Sequence, residues 1–207
     1  GDGQRELTVL RADETAAGTA DCYLWKNGIL TLGSSIRVSM TMAELSQQGR
    51  ITVGVLRSST PALFVTGVAD STRAITDVLV LRGGELTNLV LSAMTGVSGE
   101  SSRFCTLYPT DINGDGVTEV PRTVTLQGED ADHAVSQRVD WISYDASGTA
   151  SRVLSTYHDV ADGWYLQLPE GWPERVWVGR SASPDEIGIT FYTASSREES
   201  CVPVVRI

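Results

Sequence analysis

Residues 111–121, which read Asp-Ile-Asn-Gly-Asp-Gly-Val-Thr-Glu-Val-Pro, are the segment whose residue types and spacing indicate one specific chemistry. Side chains with oxygen atoms recur at every second position, and Gly116 allows the chain to bend sharply after them. Calcium prefers six to eight oxygen ligands at about 2.3–2.6 Å. We therefore predict a calcium site in this loop. The predicted ligands are the side chains of Asp111, Asn113, Asp115 and Glu119 and the backbone carbonyl of Val117.

The loop begins like an EF-hand but does not continue as one. An EF-hand carries a bidentate Glu at its twelfth position, and here that position is Arg122. The residue before a proline is pushed toward extended geometry, so Pro121 disfavours a helix and predicts a strand over residues 120–126. The alternative is a turn that binds nothing, because Asn, Asp and Gly also favour turns.

The pattern D-x-N-x-D-G-x-x-E-V-P resembles the calcium loops of FG-GAP and VCBS-type repeats. This resemblance implies a β-propeller-like fold with structural calcium, in a bacterial secreted protein or lipoprotein. The first residues, Gly-Asp-Gly-Gln-Arg-Glu-Leu, are similar to residues 114–120, and we interpret them as the second half of an earlier copy of the loop. We expect a signal peptide or lipobox upstream of Gly1, and an extracellular or surface-anchored location.

Composition limits the classes of partner. The chain has 207 residues, 41% of them hydrophobic, and a net charge of −10. Such an acidic chain is a poor match for nucleic acid, which selects basic surfaces. No apolar run approaches the roughly 20 residues that span a bilayer, so we expect no transmembrane segment. We expect a monomer whose partner is an unknown extracellular glycan or protein.

The three cysteines, Cys22, Cys105 and Cys201, lie far apart and form no C-x-x-C motif. This spacing argues against a zinc ribbon or a thioredoxin-type redox pair. We interpret them as small buried apolar residues, with a disulfide as the alternative.

Four hairpins are predicted from turn signals between strand-like runs. They span residues 22–32, 77–91, 139–157 and 187–207, and further strand-like runs lie at 62–68, 103–108 and 164–168. Short strands in units of about 40–50 residues are typical of propeller blades. We predict an all-β fold, with a β-propeller-like array of about four four-stranded antiparallel units.

Two further features complete the predicted organisation. A capping box of Thr41 and Glu44 predicts one short helix near residues 42–48. We divide the chain into residues 1–128, with the repeat-like loops, and residues 129–207, a Trp-rich β region that continues the same domain.

The Trp-rich region is the part of the sequence that suggests an alternative function. Aromatic rings beside carboxylates suit sugar binding, although alternation places Trp164, Leu166 and Leu168 on one face of a strand and favours core packing. Trp172 is the aromatic residue that we expect to be exposed. His158 and Asp159 are neighbours and point to opposite faces of a strand, so we assign no catalytic pair.

These observations predict a non-catalytic extracellular or cell-surface protein with a structural calcium site, which acts as a binding or adhesion module. The alternatives are a carbohydrate-active or other secreted hydrolase and a structural spacer in a larger surface protein. No catalytic motif is present, and for this reason we favour a protein that is not an enzyme.

Overall fold

A computed structural model describes residues 6–11, 13, 16–69, 73–104, 107–125, 137–159, 163–172, 176–183, 186–193 and 202–207. Strands dominate these residues, together with one short helix, α1 (Met42–Ser46). The strands are β1 (Glu6–Arg11), β2 (Thr19–Lys26), β3 (Ile29–Arg37), β4 (Arg50–Leu56), β5 (Thr60–Ala69), β6 (Arg73–Arg82), β7 (Glu85–Asn88), β8 (Val120–Thr125), β9 (Gln137–Tyr144), β10 (Ala150–Asp159), β11 (Trp164–Gln167), β12 (Val176–Ser183), β13 (Glu186–Thr193) and β14 (Val202–Arg206). The predicted all-β class is therefore confirmed, and within the described ranges no helix is long and apolar enough to cross a membrane.

The strands form four antiparallel sheets, in each of which neighbours in sequence are neighbours in space. The sheets are β1-β2-β3, β4-β5-β6-β7, β8-β9-β10-β11 and β12-β13-β14. Two sheets have the predicted four strands, whereas the described parts of the other two have three. No closed barrel or propeller is found among the described residues, and the arrangement in about four blades stays a prediction.

The chain divides into two compact units. The first contains Gly1–Arg122 and Trp141–Val153, and the second contains Thr123–Asp140 and Leu154–Ile207. The predicted division after residue 128 falls among residues 126–136, which lie outside the described residues. Of the interpreted earlier loop copy, only Glu6 and Leu7 are described, and they begin β1.

The four predicted hairpins are confirmed as pairs of adjacent strands, β2-β3, β6-β7, β9-β10 and β13-β14. The turn between β2 and β3 shows why its sequence is Asn-Gly. Asn27 and Gly28 have φ angles of 51° and 81°, the left-handed values that a two-residue hairpin turn requires.

The strand predicted over residues 103–108 is wrong for the residues that the structure describes. Arg103 makes only an isolated bridge with Ala74, and its side chain is fully buried. Its guanidinium donates to the carbonyls of Leu107 at 2.7 Å and Ser101 at 3.0 Å. A buried guanidinium needs oxygen acceptors on several sides, and these two carbonyls supply part of that requirement.

Strand β5 explains how the core of the first unit is organised. Ala62 and Phe64 on one face join a buried cluster with Val120 and Ile142, whereas Val65 on the other face joins a cluster with Ala20. Alternate side chains of a strand point to opposite faces. The β4–β7 sheet is therefore covered on both faces. Because both faces of β5 are buried, its sequence is nearly continuously apolar.

Helix α1 begins as its sequence predicts. The Thr41 hydroxyl accepts from the Glu44 N–H at 3.3 Å, and the Glu44 carboxylate accepts from the Thr41 N–H at 2.8 Å. The predicted helix near residues 42–48 is confirmed over Met42–Ser46. On its inner side Leu45 packs against the cluster that contains Val65.

A buried carboxylate ties the connection after β7 to the core of the first unit. Asp77 accepts hydrogen bonds from the N–H and hydroxyl of Ser39, each at 2.6 Å, and from the hydroxyl of Ser98. Asp77 and Ser98 are completely buried. Ser98 therefore supports the fold in this position rather than offering a nucleophile to solvent.

We expect Asp77→Ala to lower the free energy of unfolding by about 3 kcal/mol, because it removes the acceptor that the Ser39 N–H, the Ser39 hydroxyl and the buried Ser98 hydroxyl share. Urea denaturation followed by circular dichroism measures this loss. Glu85→Ala, at an exposed position of β7, is the matched control and should change stability by less than about 0.5 kcal/mol. Equal effects of the two variants would contradict the role of the Asp77 network.

Candidate functional site

The predicted calcium loop is closed at its base by a short β-bridge. Thr110 and Glu119 exchange two backbone hydrogen bonds, with N–H to carbonyl distances of 3.1 and 2.9 Å. Between them Gly114 and Gly116 have φ angles of 78° and 86°. Residues other than Gly and Asn rarely adopt such φ angles, so the two glycines determine the backbone conformation of the loop.

Asp111 organises the backbone of the loop. Its Oδ1 accepts from the N–H groups of Gly114 at 2.7 Å and Asp115 at 3.1 Å, and its Oδ2 accepts from Gly116 at 2.8 Å. Three amide dipoles therefore point toward one exposed carboxylate. Such Asx-type bonds pre-form the turn that the residue types predict.

Asp115 lies directly beside Asn113. The Asn113 amide donates to Asp115 Oδ2 at 2.9 Å, and the Val117 N–H donates to Asp115 Oδ1 at 2.8 Å. These two bonds lower the pKa of Asp115, the bond from Asn113 having the larger effect. Asp115 therefore keeps its negative charge in mildly acidic solution.

Glu119 differs from the other acids because its side chain is completely buried. Its Oε2 accepts from the Ile112 N–H at 3.1 Å, which places the carboxylate inside the loop. Its Oε1 has no hydrogen-bond partner. Burial raises the pKa of Glu119, and the charges of Asp115 and Asp111 raise it further. An unpaired buried carboxylate oxygen is costly, so this position is suited to a cation.

The loop is anchored to strand β4. The Thr118 N–H donates to the Val55 carbonyl at 2.8 Å, and the Val55 N–H donates to the Thr118 hydroxyl at 3.4 Å. A Cβ on Gly54 would lie 2.3 Å from the Thr118 hydroxyl oxygen. Only glycine at position 54 leaves room for this approach, so β4 fixes the closing end of the loop.

Four of the five predicted ligand residues have side chains that form hydrogen bonds within this loop. These are the side chains of Asp111, Asn113, Asp115 and Glu119. Val117 contributes its N–H to Asp115, and its carbonyl as a metal ligand stays a prediction. Among the described residues, no three His, Cys, Asp or Glu side chains converge closely enough to form a metal-ion group. Asp111, Asp115 and Glu119, the three acids of the predicted set, are therefore not close enough together in this structure to form such a group.

The sequence did not reveal the anchoring residues. Gly54 and Val55 lie more than fifty residues upstream of Thr118, and no local motif connects them. The only available signal was the break that Gly54 makes in an otherwise β-branched run, which can mark a close approach of another segment.

The Trp-rich region forms a packed core in the second unit rather than an open aromatic surface. Trp164, Leu166 and Leu168 pack with Phe191, as alternation predicts, and Trp172 is half-buried against the same cluster. The expectation that Trp172 would be the exposed aromatic residue is therefore wrong. Tyr165, with 58% of its surface exposed, is the more accessible ring.

The described histidine and cysteine, His158 and Cys22, have the environments that the sequence predicts. His158 stacks on Tyr165 with ring centroids 5.3 Å apart, and Asp159 lies on the other face of β10. Burial lowers the pKa of His158. Cys22 is a free, buried thiol, whereas Cys105, Cys201 and His133 lie outside the described residues.

Comparison of the chain with protein-family models, with curated proteins and with solved structures finds no match.

In calcium-free buffer, we expect Glu119→Gln to raise the melting temperature at pH 7. A carboxyl with a raised pKa contributes stability that is present below the unfolded value of about 4.3 and is lost as the pH rises through the folded value. Removing the charge restores that stability, so the gain should disappear near pH 4. Thermal denaturation with EDTA at both pH values measures it.

The matched control is Glu85→Gln, the same substitution at an exposed site, which should leave the melting temperature unchanged at both pH values. A Glu119→Gln protein that melts below the wild type at pH 7 would show that the buried charge is already compensated within the fold.

Proposed function

We propose that residues 111–119 hold a calcium ion that stabilises the first unit of a non-catalytic extracellular or cell-surface protein. The observation that carries this proposal is the buried Glu119 carboxylate, whose Oε1 has no hydrogen-bond partner although the residue lies within an acidic loop. A cation bound by Asp111, Asn113, Asp115, Val117 and Glu119 would supply the missing partner.

The chemistry of the donors favours calcium over softer metals. All five proposed ligand atoms are oxygens, from carboxylates, an amide and a backbone carbonyl, and hard cations select such sets. Burial is the largest cause of the raised pKa of Glu119, and the charges of Asp115 and Asp111 add to it. Three of the ligands are negatively charged, so a divalent cation would offset the repulsion among them. In this role the metal is structural, and no catalytic step passes through it.

The loop's position supports a stabilising role rather than a signalling one. It leads directly into β8 and is anchored to β4, both of which lie beside the buried cluster of Phe64 and Val120. Calcium would therefore fix the path between two strands of one core. In the described part of the chain, no pair of helices flanks the loop, whereas the flanking helices of EF-hand sensors open on binding.

The broader assignment is a binding or adhesion module of the FG-GAP/VCBS type, with propeller-like packing of successive sheets. Within the first unit, the face-to-face packing of the β1–β3 and β4–β7 sheets, in the order of the chain, supports this. Extracellular modules bind calcium with dissociation constants of about 10⁻⁴–10⁻³ M. A single loop that is largely exposed fits that range, and we therefore propose a location outside the cell.

We expect calcium to raise the melting temperature by about 5–10 °C when its concentration is about one hundred times the dissociation constant. Asp115→Ala should abolish this shift, because it removes one charged ligand and the acceptor for Val117. Thermal denaturation with calcium, magnesium and EDTA measures the effect.

Asp145→Ala is the matched control for this experiment. Asp145 forms a similar turn, with Oδ1 accepting from the N–H groups of Ser147 at 2.8 Å and Thr149 at 2.9 Å. These bonds, with that from the Ser147 hydroxyl the largest cause, lower the pKa of Asp145 to about 2. Its loss should lower the baseline melting temperature and leave the calcium shift intact. Indifference of the wild type to calcium and EDTA would refute the metal site.

Calcium binding should also strengthen as the pH rises from 5 to 7. Glu119 must lose its proton to act as a ligand, and its raised pKa makes calcium compete with that proton. Asp115, with its lowered pKa, is already charged over this range. Isothermal titration calorimetry in buffers of different ionisation enthalpy should reveal proton release on binding, and Glu119→Gln should abolish it. A pH-independent affinity without proton release would exclude Glu119 as a ligand.

A further inference from the structure

The first unit contains a second feature, an apolar cleft between its first two sheets. The β1–β3 and β4–β7 sheets meet where β3 packs against β7, and the Leu86 N–H donates to the Ser34 hydroxyl at 2.9 Å. On the side of β1 and β4 the sheets leave a cavity of about 600 Å³. Val53 of β4 lines it with 81% of its surface exposed, so the cleft is open to solvent.

From its opening at the surface, the cleft continues inward to the hydrophobic core. Leu10, Leu63, Leu79 and Leu86 line it and also belong to the cluster that packs the two sheets together. At this end the core lacks side chains to fill the space between the sheets. Cavities of this size, lined mainly by apolar residues with few polar groups, are typical of small-molecule sites.

The polar groups of the cleft are confined to β1. Of the eleven described residues that line it, Glu6 and Thr8 are polar, and Glu6 is the only ionisable one among them. The register of β1 with β2 pairs Glu6 with Leu24 and Thr8 with Cys22, and this face is turned toward the cleft. A ligand would therefore meet an apolar wall with a carboxylate and a hydroxyl at its rim.

We propose that this cleft binds a small amphiphile with an alkyl or aryl body and a cationic amine head. The apolar body would cover the exposed wall at Val53 and Leu63, and the amine would pair with the Glu6 carboxylate. The net charge of −10 also disfavours an anionic head. The inference rests on the proposed role as a binding module and does not depend on the calcium loop.

Isothermal titration calorimetry with n-octylamine, n-octanol and n-octanoate tests this directly. We expect the wild type to bind n-octylamine most tightly and n-octanoate most weakly. Glu6→Gln should weaken n-octylamine binding about three- to fivefold, the range for an exposed ion pair, and leave n-octanol binding unchanged. Equal affinity of the wild type for the amine and the carboxylate would overturn the proposal.

Filling the cleft provides the second test. Val53→Trp should weaken n-octylamine binding by about tenfold or more, because the indole occupies the space of the ligand. Leu32→Trp is the matched control, since Leu32 is half-exposed and faces away from the cleft, beside Tyr23. Ile51→Trp, at another exposed lining position, replaces Val53→Trp if that variant does not fold.

Three outcomes would overturn the proposal. They are no detectable binding of n-octylamine, equal binding by Val53→Trp and the wild type, and a wild-type dimer in light scattering that Val53→Trp dissociates. The last outcome would assign the cleft to a second copy of the chain. A calcium shift in melting temperature that persists in Val53→Trp would separate failure of the cleft from failure of the metal site.

Discussion

The candidate site depends on the burial of one carboxylate. The bridge between Thr110 and Glu119 closes the loop and directs the Glu119 side chain inward, where its Oε2 meets the Ile112 N–H. An ionised carboxylate in such a place is costly unless it is paired or ligates a metal. Protonation is the other way to remove the charge, and burial raises the pKa of Glu119 in that direction. A cation of the kind proposed above would instead offset this charge.

The two-sided burial of the β4–β7 sheet determines the rest of the first unit. Phe64 and Val80 face one cluster, and Val65 and Leu79 face the other. Both faces of such a sheet must pack against other segments, and one face is covered more completely than the other. The face of Phe64 packs against Val120, which follows the loop directly, whereas the face of Leu79 is only partly covered by β1–β3. The cleft is the space that this incomplete cover leaves.

Several of these structural features were predictable from short sequence patterns. Turn signals located four hairpins, the capping box located α1, and the alternation of oxygen-bearing residues located the loop. Prediction failed where a distant partner decides the structure. Arg103 lies in a run that resembles a strand, but its buried guanidinium donates to two backbone carbonyls and the described residues of the run form no strand. Trp172 looked exposed because sequence periodicity gave no sign of the cluster around Phe191. The anchoring of Thr118 to Val55 and the cleft depend on contacts between segments far apart in the chain.

Strand β4 borders both the candidate loop and the cleft. It can do so because its successive side chains point to opposite faces of the sheet. Ile51 and Val53 point into the cleft, whereas Gly54 lies on the other face, against Thr118. Unpaired backbone groups of an edge strand invite association with other chains. Val55 of β4 directs its N–H and carbonyl to the outer edge of the sheet, away from its partner Pro61, as alternate residues of an antiparallel strand do. Thr118 satisfies both groups. Any change that loosens the loop would therefore also expose an edge of the sheet.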